Sequence, residues 1–583
     1  MLKTLLAQVK QYKKSSLLTP LFAALEVVME VLIPFITAMI IDQGIEAGNM
    51  KKVGMYGSIM LVFAMFSLLF GVLAGKYAAN ASSGLACNLR DAMYENIQTF
   101  SFSNIDKYST AGLVTRMTTD VTNVQNAYQM ILLIAVRAPF TLICSMIMCF
   151  VINAKLSLIF VIAIIVLGAF IVVVVKTTMK IFDMVFKKYD ALNASVQENV
   201  SAIRVVKAFV REDYENKKFI TAAENVYKLF VKAEGILAFN GPVMMLVVYF
   251  CIICLSWFGA KFIVVGNMTT GELTSMFSYI MSILMSLMML SMIFVMTTLS
   301  IASGKRIAEV LNDKADLVNP KNPIMEVKNG SIDFNHVEFT YNDEAEKDTL
   351  IDIDLHIHSG ETVGIIGGTG CGKSSLVNLI SRLYDVNEGS VLVGGKDVKE
   401  YDLEVLRNQV AVVLQKNVLF SGTILENLRW GNETATKEEC IEACKNACAD
   451  EFIERFPNKY ETYIEQGGSN VSGGQKQRLC IARALLKKPQ ILILDDSTSA
   501  VDTATDAKIR SVFAKKIPDT TKIIIAQRIS SVQDADRILV LDDGKINGFD
   551  THENLLKTNE IYQEIYNTQV KGGGDFDQTG GAK

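Results

Sequence analysis

TVGIIGGTGCGKSSLVNLISRLY, residues 362–384, decides the fold of the C-terminal half. TVGIIG is a short continuous apolar run suited to a buried parallel strand. It feeds directly into Gly367–Ser374, which fits the phosphate-loop pattern GxxxxGK[ST]. In such a loop Gly367, Gly368, Thr369, Gly370, Cys371 and Gly372 let backbone amides wrap the phosphates. Lys373 reaches the terminal phosphates, and the Ser374 hydroxyl is placed to ligate Mg²⁺. Ser375 and the rest of SSLVNLISRLY read as a helix that turns its positive end toward the anion. Strand, loop and helix together predict an α/β nucleotide-binding domain that takes the phosphates of a nucleotide with Mg²⁺.

Working outward, the chain divides by composition. Half of its 583 residues are apolar, a high share for a soluble protein. The excess lies in residues 1 to about 300, whereas 325–568 carry the mixed charge of a soluble domain. We therefore expect a transmembrane domain over 1–310, a linker at 311–328, a nucleotide-binding domain with a helical subdomain over 329–568, and a flexible tail at 569–583, whose Gly-rich KGGGDFDQTGGAK suits a mobile end. A net charge of −4 gives no basic field for nucleic acid. Of the ten cysteines, Cys440, Cys444 and Cys448 recur at helical spacing without a CxxC element or histidine partners, and they read as small apolar residues in a reducing compartment. The opening MLKTLLAQVKQYKKSS lacks the layout of a removable secretory signal.

Apolar windows fall at about 17–41, 53–78, 128–151, 155–176, 238–263 and 274–299. Each is long enough to cross a bilayer, which takes about 20 helical residues. An even count returns the chain to the side it started from. Lys3, Lys10, Lys13 and Lys14 precede the first span, and Lys and Arg recur in 79–127 and 177–237. The positive-inside tendency thus predicts a multi-pass protein of the cell membrane with both termini cytoplasmic. The long segments between spans contain little Gly or Pro and are expected to be helices continuing into the cytoplasm.

Charges inside the spans cost several kcal/mol in lipid, roughly 2.5–3.5 each on an insertion scale. Glu26 and Glu30 share a face of the first span, and Arg137 lies in the third. Two readings are open: a pathway that attracts cationic substrates, or structural pairing, with Arg137 or with a partner subunit. Met281, Met285, Met288, Met292 and Met296 follow helical spacing along the sixth span. They read either as an adaptable surface for varied apolar ligands or as ordinary helix packing.

Two more motifs complete the C-terminal half: VSGGQKQR at 471–478 and ILILDDSTSAVD at 491–502. With the phosphate loop, the six spans and VKAF at 206–209, the chain resembles an ATP-binding cassette half-transporter of the multidrug-type, or type IV, exporter family. That resemblance implies roles. Tyr341 in FTYNDE would stack on adenine, and Gln415 in VVLQKNVLF would contact Mg²⁺ along with Ser374 and Asp495. Ser472, Gly473, Gly474 and Gln475 would clamp the phosphate held by the opposite cassette, and Asp502 would communicate between sites. Asn104–Gly112 and Ser201–Arg211 would dock the membrane domain on the cassettes.

The chain departs from this pattern twice. Where competent members carry a catalytic Glu and a switch His, it has Asp496 and Gln527. Asp is one methylene shorter, about 1.5 Å, and a misplacement of about 1 Å costs on the order of a hundredfold in rate. Gln cannot become a cation or relay a proton near neutral pH. With the phosphate loop intact, the pair implies ATP binding with weak hydrolysis. It resembles the degenerate-site subunit of a bacterial heterodimeric exporter, whose partner half-transporter supplies Glu and His. A homodimer with slow hydrolysis is the alternative. The expected function is ATP-driven export of amphiphilic compounds or drugs across the lipid bilayer. A lipid or peptide exporter, an importer of the same fold and a non-transporting ATP sensor are the competing readings.

Overall fold

A computed structural model describes residues 1–341, 347–496 and 501–572. The chain forms two compact units: residues 1–99 with 109–313, and 100–108 with 314 onward. The division therefore falls at 313/314, between the expected limits of 310 and 328, and the second unit also claims a nine-residue segment from between the second and third spans.

The first unit is helical, as its apolar windows require. Its long helices are Lys13–Ile40, Met50–Thr99, Val121–Ser201, Glu212–Ala238, Asn240–Val264 and Thr270–Asn312. Five helical stretches among the described residues are long and apolar enough to cross a membrane. The count is five because the windows at 128–151 and 155–176 share one 81-residue stretch. A straight helix of that length would run roughly 120 Å, about four times the ~30 Å hydrocarbon core. Asn153 breaks it, with φ −154° and ψ 104°. Its side-chain Oδ1 accepts from the Lys155 and Leu156 amides at 3.1 Å, so the residue that interrupts one helix caps the next.

Polar contacts fix the first and last membrane helices side by side. Buried Tyr279 donates to the Val31 carbonyl (2.8 Å) and Ser275 to that of Pro34 (2.6 Å). Beyond them, Asp42 accepts from the Gly271 amide (2.8 Å) and the Thr269 hydroxyl (2.7 Å), capping the last helix. At the opposite end, the fully buried Asp120 accepts from Arg306 Nε at 2.7 Å and Nη2 at 2.5 Å.

The second unit is built on a six-stranded sheet in the order Lys545–Asp550, Arg537–Asp542, Thr362–Gly367, Thr521–Ile525, Ile491–Asp495, Val410–Val413. All neighbours are parallel except the first pair. The strands ILILD and TKIII are buried at every position, which is why they read as unbroken apolar runs rather than alternating ones. A four-stranded antiparallel sheet packs against this one through a shared apolar cluster. Cys440, Cys444 and Cys448 lie in the other cluster, and burial pushes their thiols above the ordinary value. The C-terminal helix runs Glu560–Gly572, four residues past 568, so the expected tail begins inside a helix; its remainder, 573–583, lies outside the described residues.

Candidate functional site

Parallel register brings the site together. Ile365 pairs with Ile525, and Ile525 with Asp495. The phosphate loop, the paired acids and the switch segment therefore all leave the same carboxyl edge of the sheet, where open α/β folds bind ligands.

The loop's backbone is set by its glycines. Gly372 caps the Lys373–Ile380 helix in the left-handed region, φ 95°, which residues with a Cβ rarely adopt. At Gly367 a Cβ would lie 2.1 Å from the Leu541 carbonyl oxygen. Gly368, Thr369 and Gly370 are exposed, while Cys371 and Ser375 are buried beneath them. Lys373 Nζ donates to the carbonyls of Gly367 (2.9 Å) and Gly368 (2.6 Å), folding back over the loop.

Asp495 ends its strand almost fully buried. Burial, above all, and the neighbouring Asp496 charge push its carboxyl above the usual range, opposed by the Ser374 hydroxyl and Lys373. A hydroxyl and a buried carboxylate in contact are the hard oxygen ligands Mg²⁺ takes. Asp496 adopts φ 45°, which Asp tolerates better than most residues. Its amide donates to the Ile525 carbonyl (3.0 Å), and its Oδ2 accepts from Gln527 Nε2 at 2.9 Å. The two residues that depart from the family pattern thus touch each other.

Tyr341 donates to the Ser375 hydroxyl at 3.0 Å and remains 51% exposed. Phe339 and Tyr384 hold it edge-on, at centroid distances of 4.8 and 5.0 Å. Gln415 is exposed just past Val410–Val413, the strand beside Ile491–Asp495. The remaining candidates are turned to other tasks. Ser472 caps the Gly473–Leu485 helix in a reciprocal box with Gln475 (3.3 and 2.9 Å), Gly473 and Gly474 forming its first turn. Asp502 caps Thr503–Lys516, accepting from the Thr505 amide at 2.9 Å. Residues 497–500 between these elements lie outside the described residues.

The membrane candidates form a triad. Arg137 reaches Glu26 at 3.1 Å and Glu30 at 3.0 Å. Glu26 is enclosed, its side chain 15% exposed, and Gly71 passes so close that a Cβ there would meet Oε1 at 3.0 Å. Glu30 is half exposed. Two carboxyl groups share one guanidinium. At the register set by Tyr279 and Val31, Met281 and Met285 lie level with this triad. Met281, Met285, Met288 and Met292 are each 39–54% exposed within the chain.

Other residues at these sites gave no signal in the sequence. Tyr384 donates to Asp106 Oδ2 at 2.7 Å, and burial, then Asp106, pushes its hydroxyl well above the usual value. Asp316 accepts from the hydroxyls of Ser101 and Ser103, the latter at 2.7 Å. Together they fasten the 100–108 segment, which includes the Phe102–Tyr108 helix, to the second unit. Nothing in a single sequence distinguishes such an Asp or Tyr from any other.

A phosphate loop beside a buried Mg²⁺-type acid, in one chain with a multi-pass helical unit, defines a nucleotide-binding membrane protein. Comparisons with known proteins agree. Family models described as the ABC transporter transmembrane region and as ABC transporter match residues 16–288 and 350–499. An uncharacterized ABC transporter ATP-binding protein of Bacillus subtilis (strain 168), YfiB, is 37% identical over 93% of this chain and 94% of its own length. An ATP-dependent lipid A-core flippase of Desulfotalea psychrophila (strain LSv54 / DSM 12343) is 32% identical over 88% of this chain and 89% of its own. A bacterial Atm1-family ABC exporter solved with ATP bound shares the fold, with a TM-score of 0.82 at 24% identity over 96% of this chain and 99% of that one. The chain belongs to the ABC transporter family, as a half-transporter with one transmembrane region followed by one ATP-binding cassette.

Proposed function

We propose that this chain is one half of an ATP-driven exporter of amphiphilic compounds, with both termini cytoplasmic, and that its own nucleotide site binds ATP while hydrolysing it weakly. The observation that carries this reading is the 2.9 Å contact from Gln527 Nε2 to Asp496 Oδ2. The carboxylate that would act on water is short by a methylene and already accepts from an amide that cannot take up a proton near neutral pH. Tyr341, the phosphate loop and Lys373 bind the nucleotide. Ser374, Asp495 and Gln415 would hold Mg²⁺, which supplies positive charge to the phosphates. The Ser472–Gln475 turn, exposed at Ser472 and Gly473, would complete the competent site of a partner half-transporter that carries Glu and His. ATP drives the cycle because it binds closed cassettes more tightly than open ones.

The chain purified alone is expected to show little ATPase activity, and substantial activity when co-purified with a second half-transporter bearing Glu and His. A lone chain that hydrolyses ATP fast and loses that rate on Asp496→Asn would overturn the degenerate-site reading. ATP-dependent uptake of cationic dyes into inverted vesicles tests export. Relatives named as lipid flippases support a second reading, so a labelled lipid belongs in the same assay. Neither uptake nor substrate-stimulated ATPase would favour a non-transporting ATP sensor.

Coupling is assigned to the 100–108 segment. Tyr384→Phe removes a donor to the Asp106 carboxylate, a bond type worth about 1.5 kcal/mol or more, or roughly tenfold in a docking equilibrium. Transport per ATP hydrolysed is expected to fall several-fold with ATP affinity unchanged. Equal losses in both would instead assign Tyr384 to the nucleotide site through Tyr341.

A further inference from the structure

We propose that Gln569, near the end of the C-terminal helix, is a positioning residue of the nucleotide site: its amide clasps the switch segment and so holds Gln527 against Asp496. Gln569 Oε1 accepts from the Ile529 amide at 2.8 Å, and its Nε2 donates to the Gln527 carbonyl at 2.8 Å. Only one orientation of the side-chain amide satisfies both bonds, since its oxygen only accepts and its nitrogen only donates.

The clasp falls on the exposed part of the switch. Upstream, the Ala526 amide is tied to the Ile365 carbonyl at 3.2 Å. Downstream, Ile529 is buried and opens a short turn to Ser531. Between them Gln527 and Arg528 are exposed. Gln569 spans this gap as a piece of a neighbouring strand would, bonding a carbonyl and an amide two residues apart.

The helix that carries Gln569 is anchored without it. Tyr562 is fully buried and its hydroxyl meets His552 Nδ1 at 2.6 Å. The Asn559 side chain accepts from the Tyr562 amide at 2.9 Å, and Ile561, Ile565 and Tyr566 pack on the cassette core. Tyr562, Tyr566 and Gln569 share one helix face, at spacings of four and three. The docked face therefore leads to the switch two turns later, and removing the Gln569 amide leaves the anchoring contacts in place.

This inference rests on the reading that the site binds ATP, with Gln527 beside its phosphates. A switch already held in position loses less freedom when the site closes on nucleotide, and preorganisation of this kind lengthens residence. The test uses the full-length transporter in vesicles, loaded with radiolabelled azido-ATP and Mg²⁺, chased with unlabelled ATP and photolysed at intervals. Label remaining on this chain is read after separating it from any partner. Gln569→Ala is expected to release label about tenfold faster, in line with the loss of two neutral hydrogen bonds, at an unchanged melting temperature. Gln569→Glu keeps the acceptor for Ile529 but loses the donor to Gln527, and is expected to behave like the alanine variant. The effects of Gln527→Ala and Gln569→Ala are expected not to add, because both act through one contact. Wild-type retention matched by Gln569→Ala, or the same acceleration in a Gln527→Ala background, overturns the inference alone. A wild-type chain that takes up no label overturns the site reading and the inference with it.

Discussion

Replacing Asp496 by Glu and Gln527 by His in the same chain is expected to raise ATP turnover by about a hundredfold, measured as phosphate release by the purified protein without a partner. Each copy carries an intact VSGGQ turn, so two copies contain everything two restored sites need. The added methylene moves the carboxylate about 1.5 Å outward, and the imidazole replaces an amide with a group that titrates near neutral pH. The present pair is mutually satisfied, Gln527 donating to Asp496 at 2.9 Å, so correcting one partner alone leaves the other mismatched. Either single change is expected to recover much less than the double. A double variant no faster than the parent would mean that another feature limits hydrolysis and that these substitutions are incidental.

Arg137→Ala is expected to destabilise the membrane unit by about 3 kcal/mol, the order of cost of leaving a carboxylate in a span without its counter-charge. Glu26 accounts for most of this, being 15% exposed and 3.1 Å from the guanidinium, whereas Glu30 is half exposed and recovers part of its solvation. Adding Glu26→Gln is expected to restore much of the loss. Melting of the detergent-solubilised protein, followed by its fluorescence on size exclusion, reads both. Melting and the dye-uptake assay together separate the two roles the sequence left open for these charges. A fall in stability rescued by Glu26→Gln marks a structural pair, while unchanged melting with a changed preference for cationic dyes marks a substrate path.

Local signals made much of this protein legible. GGTGCGKSS announces a phosphate site because few residue types can build that loop, and ILILD reads as a buried strand because both faces of a parallel sheet need apolar side chains. Continuous apolar windows mark spans, since a helix crossing the bilayer meets hydrocarbon on one side and neighbouring apolar helices on the other. The same local reading met its limit at 128–176, where two windows share one helical stretch and only the backbone of Asn153 divides them. It failed at 569, where Gly-rich composition beyond the helix made its last turn look like tail. An amphipathic pattern ends a turn early when the final contact is a polar one, as it is for Gln569.

The class of the machine was legible along the chain, and so were the candidates for nucleotide binding and the two positions that depart from the family pattern, because each depends on residues within a few places of one another or on composition summed along a helix. Which of those groups meet depends on the fold. Arg137 lies more than a hundred residues from the carboxylates it pairs with, Gln527 lies 31 from Asp496, and Gln569 lies 42 from the carbonyl it holds. Such contacts are chosen by strand order and helix register, and hydrogen bonds and ion pairs act over about 3 Å in space whatever the separation along the chain.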